Sequence, residues 1–365
     1  MDAPGSLKTV DTMNDTNATR NQHYTWSTDD VPGYWVTQLC GTVELLFAVG
    51  ALIGNTLFIL IVIFKKKLRM WMNVFLVNLS ITDIIAALSL CLPMSYTFYR
   101  RQWHFGSMYC LIHNLLHPFM MSTSLWLTAF ISINRYVFIV FNTRYQRLTS
   151  GITVSLAIAF AWGTPIVSFY TVYQDTSLSF YDPSILRCRM SGTPFTVMFL
   201  AFTPSFLVLL SYTLIIAYVM HSRRLVRAHA ATQPQSSNLS SGPSQQELRM
   251  LFTIFAVFAL ILLCYLPYAI ILLVSSVREW RQLPESAVLA YPMIHLGGAI
   301  NPLLYGANNR HFKEAYKELL TGRLIRCSYL CSKNQVVPTQ AIDLRIPGNN
   351  GDNDTLPGTN NCANV

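Results

Sequence analysis

The sequence predicts an all-α membrane protein, a seven-transmembrane helix bundle with a short amphipathic surface helix after the seventh span. Three observations predict it. Of 365 residues, 52% are hydrophobic and only 12% are charged, against roughly 25% charged in a soluble domain. The polar residues are clustered in an opening tail, in short breaks, in a stretch near 221–249 and in a closing tail. Between them lie seven apolar runs, each near or above the roughly 20 residues that a helix needs to cross the hydrocarbon core. Transmembrane strands would show alternating segments of ~10 residues, and these runs do not alternate.

In order, the spans are 39–64, 73–99, 107–140, 151–173, 193–220, 248–274 and 284–307. Backbone groups in lipid must be satisfied within their own segment, which makes each run a helix. Away from the span ends the charges inside are few: Glu44, Asp83 and Arg135. The organisation expected is an extracellular tail at 1–38, a seven-span domain with its surface helix at 39–325 and a disordered cytoplasmic tail at 326–365. The first 38 residues are polar and the first apolar run is too long for a signal h-region, so signal cleavage is not expected. Residues 230–246 are rich in Ser, Gln and Pro and should be flexible. Residues 309–320 alternate basic and apolar positions at helical spacing, as suits a helix lying on the inner membrane surface. No internal repeat is visible, against transporters built on duplicated halves.

Orientation follows from the cations. Of the 26 Lys and Arg, 18 fall on one side of the predicted spans, and positive loops stay in the cytoplasm. The N-terminus is therefore expected outside a multi-pass plasma-membrane protein and the C-terminus inside. The net charge of +9 is scattered along loops, which points to topology and contact with anionic lipids and away from nucleic acid. Asn14 and Asn17 head sequons in the outer tail, where glycosylation is expected. Those at Asn238 and Asn353 fall on the inner side. Of eight cysteines, Cys110 and Cys188 lie on the outer side, where disulfides persist. A bridge there would tie the loop before the fifth span to the top of the third. Cys40 and Cys91 read as apolar packing. Cys327 and Cys331 follow the basic amphipathic stretch, and S-palmitoylation and plain thiols both stay open there.

The order of short motifs resembles the rhodopsin-like receptors over about 39–325. It runs through Gly54-Asn55, Leu79 to Asp83, Trp103 to Gly106 and Cys110. It continues with Asn134-Arg135-Tyr136, Trp162, Pro204, Tyr212 and Cys264 to Pro267, and ends with Asn301-Pro302 to Tyr305 and then Phe312. Each alone is weak; one per helix, in order, is specific. The run from Asn134 to Tyr145 is similar to the melatonin receptors, which also carry Asn before this Arg. Ala299 to Tyr316 and Tyr265 to Pro267 resemble the medium-chain fatty-acid receptor and the Trapped-in-endoderm and Moody receptors.

The resemblance implies a receptor that converts binding of an extracellular ligand into activation of a heterotrimeric G protein, of the inhibitory class in the nearest subgroups. Arrestin and membrane lipids are the further partners implied. Arg135, with Asn134 and Tyr136, would be the inner switch, paired at rest with Glu247 and turning on activation toward Tyr212. Asn301, Pro302 and Tyr305 would belong to the same machinery. Asn134 departs from the common Asp, which removes one restraint on Arg135 and points to raised basal activity. Asp83 is a lone mid-membrane carboxylate that must be neutralised by a proton or a cation. The family implies a sodium pocket of Asp83, Ser124 and Asn301, while Gly297 and Gly298 stand where further oxygens are common.

His113, His117 and Met121 recur at i, i+4 and i+8 on one helix face, where the family keeps its ligand. Arg189, Tyr265, Tyr268, Tyr291 and His295 are the other expected lining residues, with Arg187 also flanking Cys188. His117 stands where amine receptors need an Asp and His295 where opsins need a Lys, which disfavours cationic amines and a retinal Schiff base. A small, partly apolar, anionic-compatible ligand is expected, with an outer Arg as anchor; solvated loop arginines remain the alternative. No Cys or second carboxylate is expected beside the three histidines, so no metal other than sodium is anticipated. No nucleophile–base pair, phosphate loop or zinc motif points to an enzyme. A channel or transporter would need a continuous polar stripe, and a non-signalling scaffold would not need Arg135, Tyr212 and Asn301-Pro302.

Overall fold

The computed structural model describes residues 32–141, 144–173, 179–190, 194–232, most of 255–271, 284–308 and 310–321. Glu247, Tyr268, Asn14, Asn17, Cys327 and Cys331 lie outside the described residues.

Helix α1 covers Tyr34–Phe64, starting five residues before the apolar run predicts. The second span is a continuous helical rod built of α2 (Trp71–Ala86), a π-turn at Ala87–Cys91 and α3 (Leu92–Arg100). Then come α4 (Gly106–Val140), the short α5 (Tyr145–Leu148) and α6 (Gly151–Tyr173). A hairpin of β1 (Ser179–Asp182) and β2 (Arg187–Met190) precedes α7 (Pro194–Thr232). The sixth span is represented by α8 (Phe258–Pro267), which runs over one undescribed residue. The seventh is two helices, α9 (Pro284–Met293) and α10 (Leu296–Asn308), and α11 (Arg310–Leu320) follows. Among the described residues five helical stretches, with α2 through α3 taken as one and α9 with α10 as another, are long and apolar enough to cross a membrane, and Gly151–Ile166 and Phe258–Pro267 are shorter apolar helices, which together gives the seven spans.

Burial follows the lipid logic. Large apolar side chains such as Ile53, Ile152, Leu156 and Leu263 face outward, while Asn55, Asp83, Ser132 and Asn301 are buried inside. Polar groups buried in an apolar medium need partners. Asn55 donates through Nδ2 to the carbonyls of Ala51 and Gly298, joining α1 to α10. Ser95 donates to the Gly41 carbonyl at 2.7 Å, and the Trp162 indole donates to Asn78 at 3.3 Å. Helix α4 is the central pillar and packs on α2, α6 and α7. At Gly54 an added Cβ would lie 3.0 Å from Cγ of Pro302, so α1 and α10 touch at backbone distance.

Two features close the ends. At one, the expected disulfide Cys110–Cys188 fastens the hairpin to α4. Asp182 Oδ1 accepts from the backbone N–H and hydroxyl of Ser184 and shapes the turn. Leu186 takes a left-handed backbone, φ 51°, and its side chain is fully buried. With Ile185 it packs against Met94, Phe98 and Tyr291, so the hairpin is pressed into the bundle. At the opposite, Arg135 end, α11 lays Phe312, Ala315 and Leu319 against the core. Phe312 stacks on Phe58 at 5.1 Å, Phe58 meets Tyr305 at 5.2 Å, and Lys65 pairs with Glu318.

Candidate functional site

At the Arg135 end, Arg135 is buried in α4, and its Nε and Nη1 have no hydrogen-bond partner among the described residues. Its electrostatic neighbours are the phenols of Tyr145 and Tyr212. Asn134 points elsewhere. Its Oδ1 accepts from the Tyr145 hydroxyl at 3.2 Å, and its Nδ2 donates to Thr149 at 3.4 Å. The residue before Arg135 is thus spent on holding α5 and the start of the fourth span. Tyr136 packs edge-on to Phe141 at 5.9 Å, and Tyr212 lies edge-on to Phe255 at 5.3 Å, joining the fifth and sixth spans.

Mid-bundle, a cavity of about 50 Å³ is lined by Asp83, Ser124, Tyr265, Gly298 and Asn301, and by Met121 and His117 toward the hairpin. Asn301 Nδ2 donates to Asp83 at 3.0 Å, while Asn301 Oδ1 is buried without a partner among the described residues. A Cβ on Gly298 would sit 3.1 Å from Oδ1 of Asp83, so the glycine lets the seventh span reach the carboxylate. The three oxygen-bearing residues expected to hold sodium therefore share one chamber.

Toward the hairpin, the rings gather. His117 stacks on Tyr291 at 5.7 Å and meets His295 at 5.9 Å, and Tyr291 meets His295 at 5.2 Å. His113 is buried and edge-on to Trp103. The Arg187 guanidinium lies 4.4 Å over the Tyr291 ring. Arg189 sits in β2 opposite Phe180, and its side chain is outside the described residues. Outside the spans, burial and then the Asp182 carboxylate push the Tyr181 phenol up, so it stays a protonated donor beside Trp103.

One arrangement corrects the sequence reading. His295 Nδ1 and Glu44 Oε1 are 2.7 Å apart, both residues buried, and Cys91 is close enough that one donor atom from each lies within 4.8 Å of the others. The histidine cluster therefore does have a carboxylate and a thiol beside it, and Cys91, packed as expected among Ala48, Ala51 and Ala87, is that thiol. Residues 44, 91 and 295 are remote in sequence and meet only because α1 packs on both the π-turn and α10. The available signal was Glu44 itself, a carboxylate within a span.

The family model for the 7 transmembrane receptor (rhodopsin family) matches residues 54–305. The chain belongs to that family. Similar relatives include melatonin receptor type 1B-B of Danio rerio, 27% identical over 79% of this chain and 83% of its own length. Melatonin receptor type 1A of Phodopus sungorus is 27% identical over 78% of this chain and 81% of its own length. The crystal structure of squid rhodopsin superposes with a TM-score of 0.69 at 18% identity, over 90% of this chain and 98% of that one; it attests the fold. The protein is a multi-pass plasma-membrane receptor that converts binding of an extracellular ligand into heterotrimeric G-protein activation, and is not an enzyme. In the receptor, Arg135 and Tyr212 adjoin at one end, Asp83, Ser124 and Asn301 share the middle, and His113, His117, Tyr291 and His295 gather beneath the hairpin. The contribution of Tyr145 was not read from sequence, and of the two outer arginines flanking Cys188 it is Arg187 that the structure sets over Tyr291; both depend on tertiary proximity.

Proposed function

We propose that this receptor responds to a small, partly apolar ligand held among His117, Tyr291 and His295, and signals through the inhibitory class of G protein. The observation that carries the reading is Arg187 poised over Tyr291 at 4.4 Å, with the hairpin closing the chamber behind it. A guanidinium above an aromatic floor suits a ligand with a flat apolar body and an acceptor or anionic edge. Glu44 is already engaged by His295, which leaves the pocket poorly suited to a cationic amine. The similar melatonin receptors make melatonin the first compound to try, followed by medium-chain fatty acids.

The hairpin end is read as extracellular and the Arg135 end as cytoplasmic, in keeping with the excess of Lys and Arg at the latter. Arg135 then faces the G protein and, after activation, arrestin, with the basic surface helix against anionic lipid. In the resting state Arg135 would pair with Glu247, which lies outside the described residues. Asp83, Ser124 and Asn301 fit a sodium ion, a hard cation that takes oxygen donors; Asn301 Oδ1 is a buried acceptor without a partner among the described residues. Bound there, the ion would supply the charge that neutralises Asp83. Glycans on Asn14 and Asn17 and acyl chains on Cys327 and Cys331 complete the assignment.

The test is inhibition of cAMP formation in cells expressing the receptor, with pertussis toxin as control. Wild type should respond to a small partly apolar ligand, Arg187→Ala should raise its EC50 at least about tenfold, and Arg135→Ala should abolish the signal at normal surface expression. An unchanged Arg187→Ala response overturns the anchor, and toxin-insensitive signalling overturns the inhibitory class.

A further inference from the structure

We propose that Glu44, Cys91 and His295 bind a transition-metal ion of the zinc class, tying the first, second and seventh spans together near the hairpin end. The donor set is a carboxylate oxygen, a thiol sulfur and an imidazole nitrogen, the three kinds that zinc takes from proteins. A thiolate among them selects against calcium and magnesium and sets this place apart from the oxygen-lined pocket at Asp83. One donor atom from each side chain already lies within 4.8 Å of the others. Zinc bonds of about 2.0–2.3 Å place tetrahedral donors roughly 3.3–3.8 Å apart, so closure takes about an ångström.

Two further observations point to an ion. Glu44 Oε2 and His295 Nε2 have no hydrogen-bond partner among the described residues, although Glu44 is 0% and His295 9% exposed. Both groups therefore retain a lone pair or a donor position that the Glu44–His295 contact does not use. Charge also balances. A glutamate and a cysteine thiolate together neutralise a dication, which makes the occupied site neutral in an apolar interior. Binding releases the Cys91 thiol proton to bulk water. Cys91 and His295 both line the cavity, so a fourth position is reachable by water or by a donor on a ligand.

The three donors sit on different elements, two of them at irregular places: Cys91 ends the π-turn, and His295 lies in the turn between α9 and α10. Single π-turns occur disproportionately at functional sites. An ion there fixes the joint of the seventh span to α1, and so biases the equilibrium between resting and active packings.

The experiment uses full-length receptor in lipid nanodiscs titrated with Co²⁺ and then Zn²⁺. Wild type should take up one cobalt with a thiolate-to-cobalt absorption band, lose the band to zinc but not to excess sodium, and show a raised thermal midpoint with zinc. Because Glu44→Gln and His295→Gln also break the buried pair, Cys91→Ser is the principal variant and Cys40→Ser its control. Cys91→Ser should lose the band and weaken zinc binding at least about tenfold, while Cys40→Ser keeps both. A wild type without the band, a band that survives Cys91→Ser, or stability that follows pH while ignoring zinc overturns the proposal. None of these outcomes bears on the small-ligand reading, which is scored by signalling.

Discussion

Arg135 and its neighbour show how a single amide reshapes a switch. With Asn134 hydrogen-bonded to Tyr145 and Thr149, no carboxylate stands beside Arg135 on its own helix to hold it inward. Asn134→Asp should lower basal G-protein activation roughly tenfold, because a hydrogen bond to a charged group is worth about 1.5 kcal/mol or more. Basal nucleotide exchange on purified G protein reads this directly, with Tyr145→Phe as control for loss of the Asn134 contact alone. Unchanged exchange in Asn134→Asp would mean that position 134 does not restrain Arg135. At this scale the sequence was informative wherever a residue is costly to bury: Asp83 and Arg135 announced themselves by charge. Tyr145 did not, since a tyrosine is common without a role, and of the outer arginines Arg187 and Arg189 the sequence could not say which one reaches Tyr291. Glu44 was visible as a charge, but its partner was not.

Among the elements, the seven helices followed from the apolar runs, while their ends did not. Hydropathy reports where lipid is, and a helix continues as long as its backbone is satisfied. Helix α1 accordingly begins at Tyr34, and α7 runs on to Thr232, into a stretch expected to be flexible. The π-turn at Ala87–Cys91 had no sequence signal, because an extra residue in a turn leaves the composition apolar. Contact between elements depends on small residues where backbones converge. Gly54→Val should therefore push α1 from Pro302 and Pro302 from its place, with overpacking costing about 1–3 kcal/mol. Thermal unfolding of the detergent-solubilised receptor measures this: a midpoint equal to wild type would show that α10 yields without cost. The α11 helix was legible from its basic and apolar alternation, but its coupling through Phe312, Phe58 and Tyr305 emerged only from packing.

For the whole molecule, polar content is stratified. One end holds a guanidinium and phenols, the middle a carboxylate with amide and hydroxyl, and the hairpin end imidazoles with Glu44. The disulfide spans 78 residues of chain, and a loop of that length corresponds to about 4.5 kcal/mol of closure entropy for a fully flexible chain; the spans stay helical in lipid, so the effect on stability is smaller. Its sharper effect is on the hairpin. Cys188→Ser should release Ile185 and Leu186 from their places and weaken ligand binding, while inner-end G-protein coupling by a constitutively active background persists. Radioligand affinity and basal exchange, measured together, separate the two; equal loss of both would make the bridge a general support.

The seventh span is not one rod. Its hydrogen-bond ladder tightens at Ile294 and His295, whose amides reach back to Tyr291 and Pro292, and α10 begins afresh at Leu296. A knuckle at that level divides the half bearing Tyr291, which faces the chamber beneath the hairpin, from the half bearing Asn301 and Tyr305. Since His295 is also clasped by Glu44, the knuckle is fastened to α1.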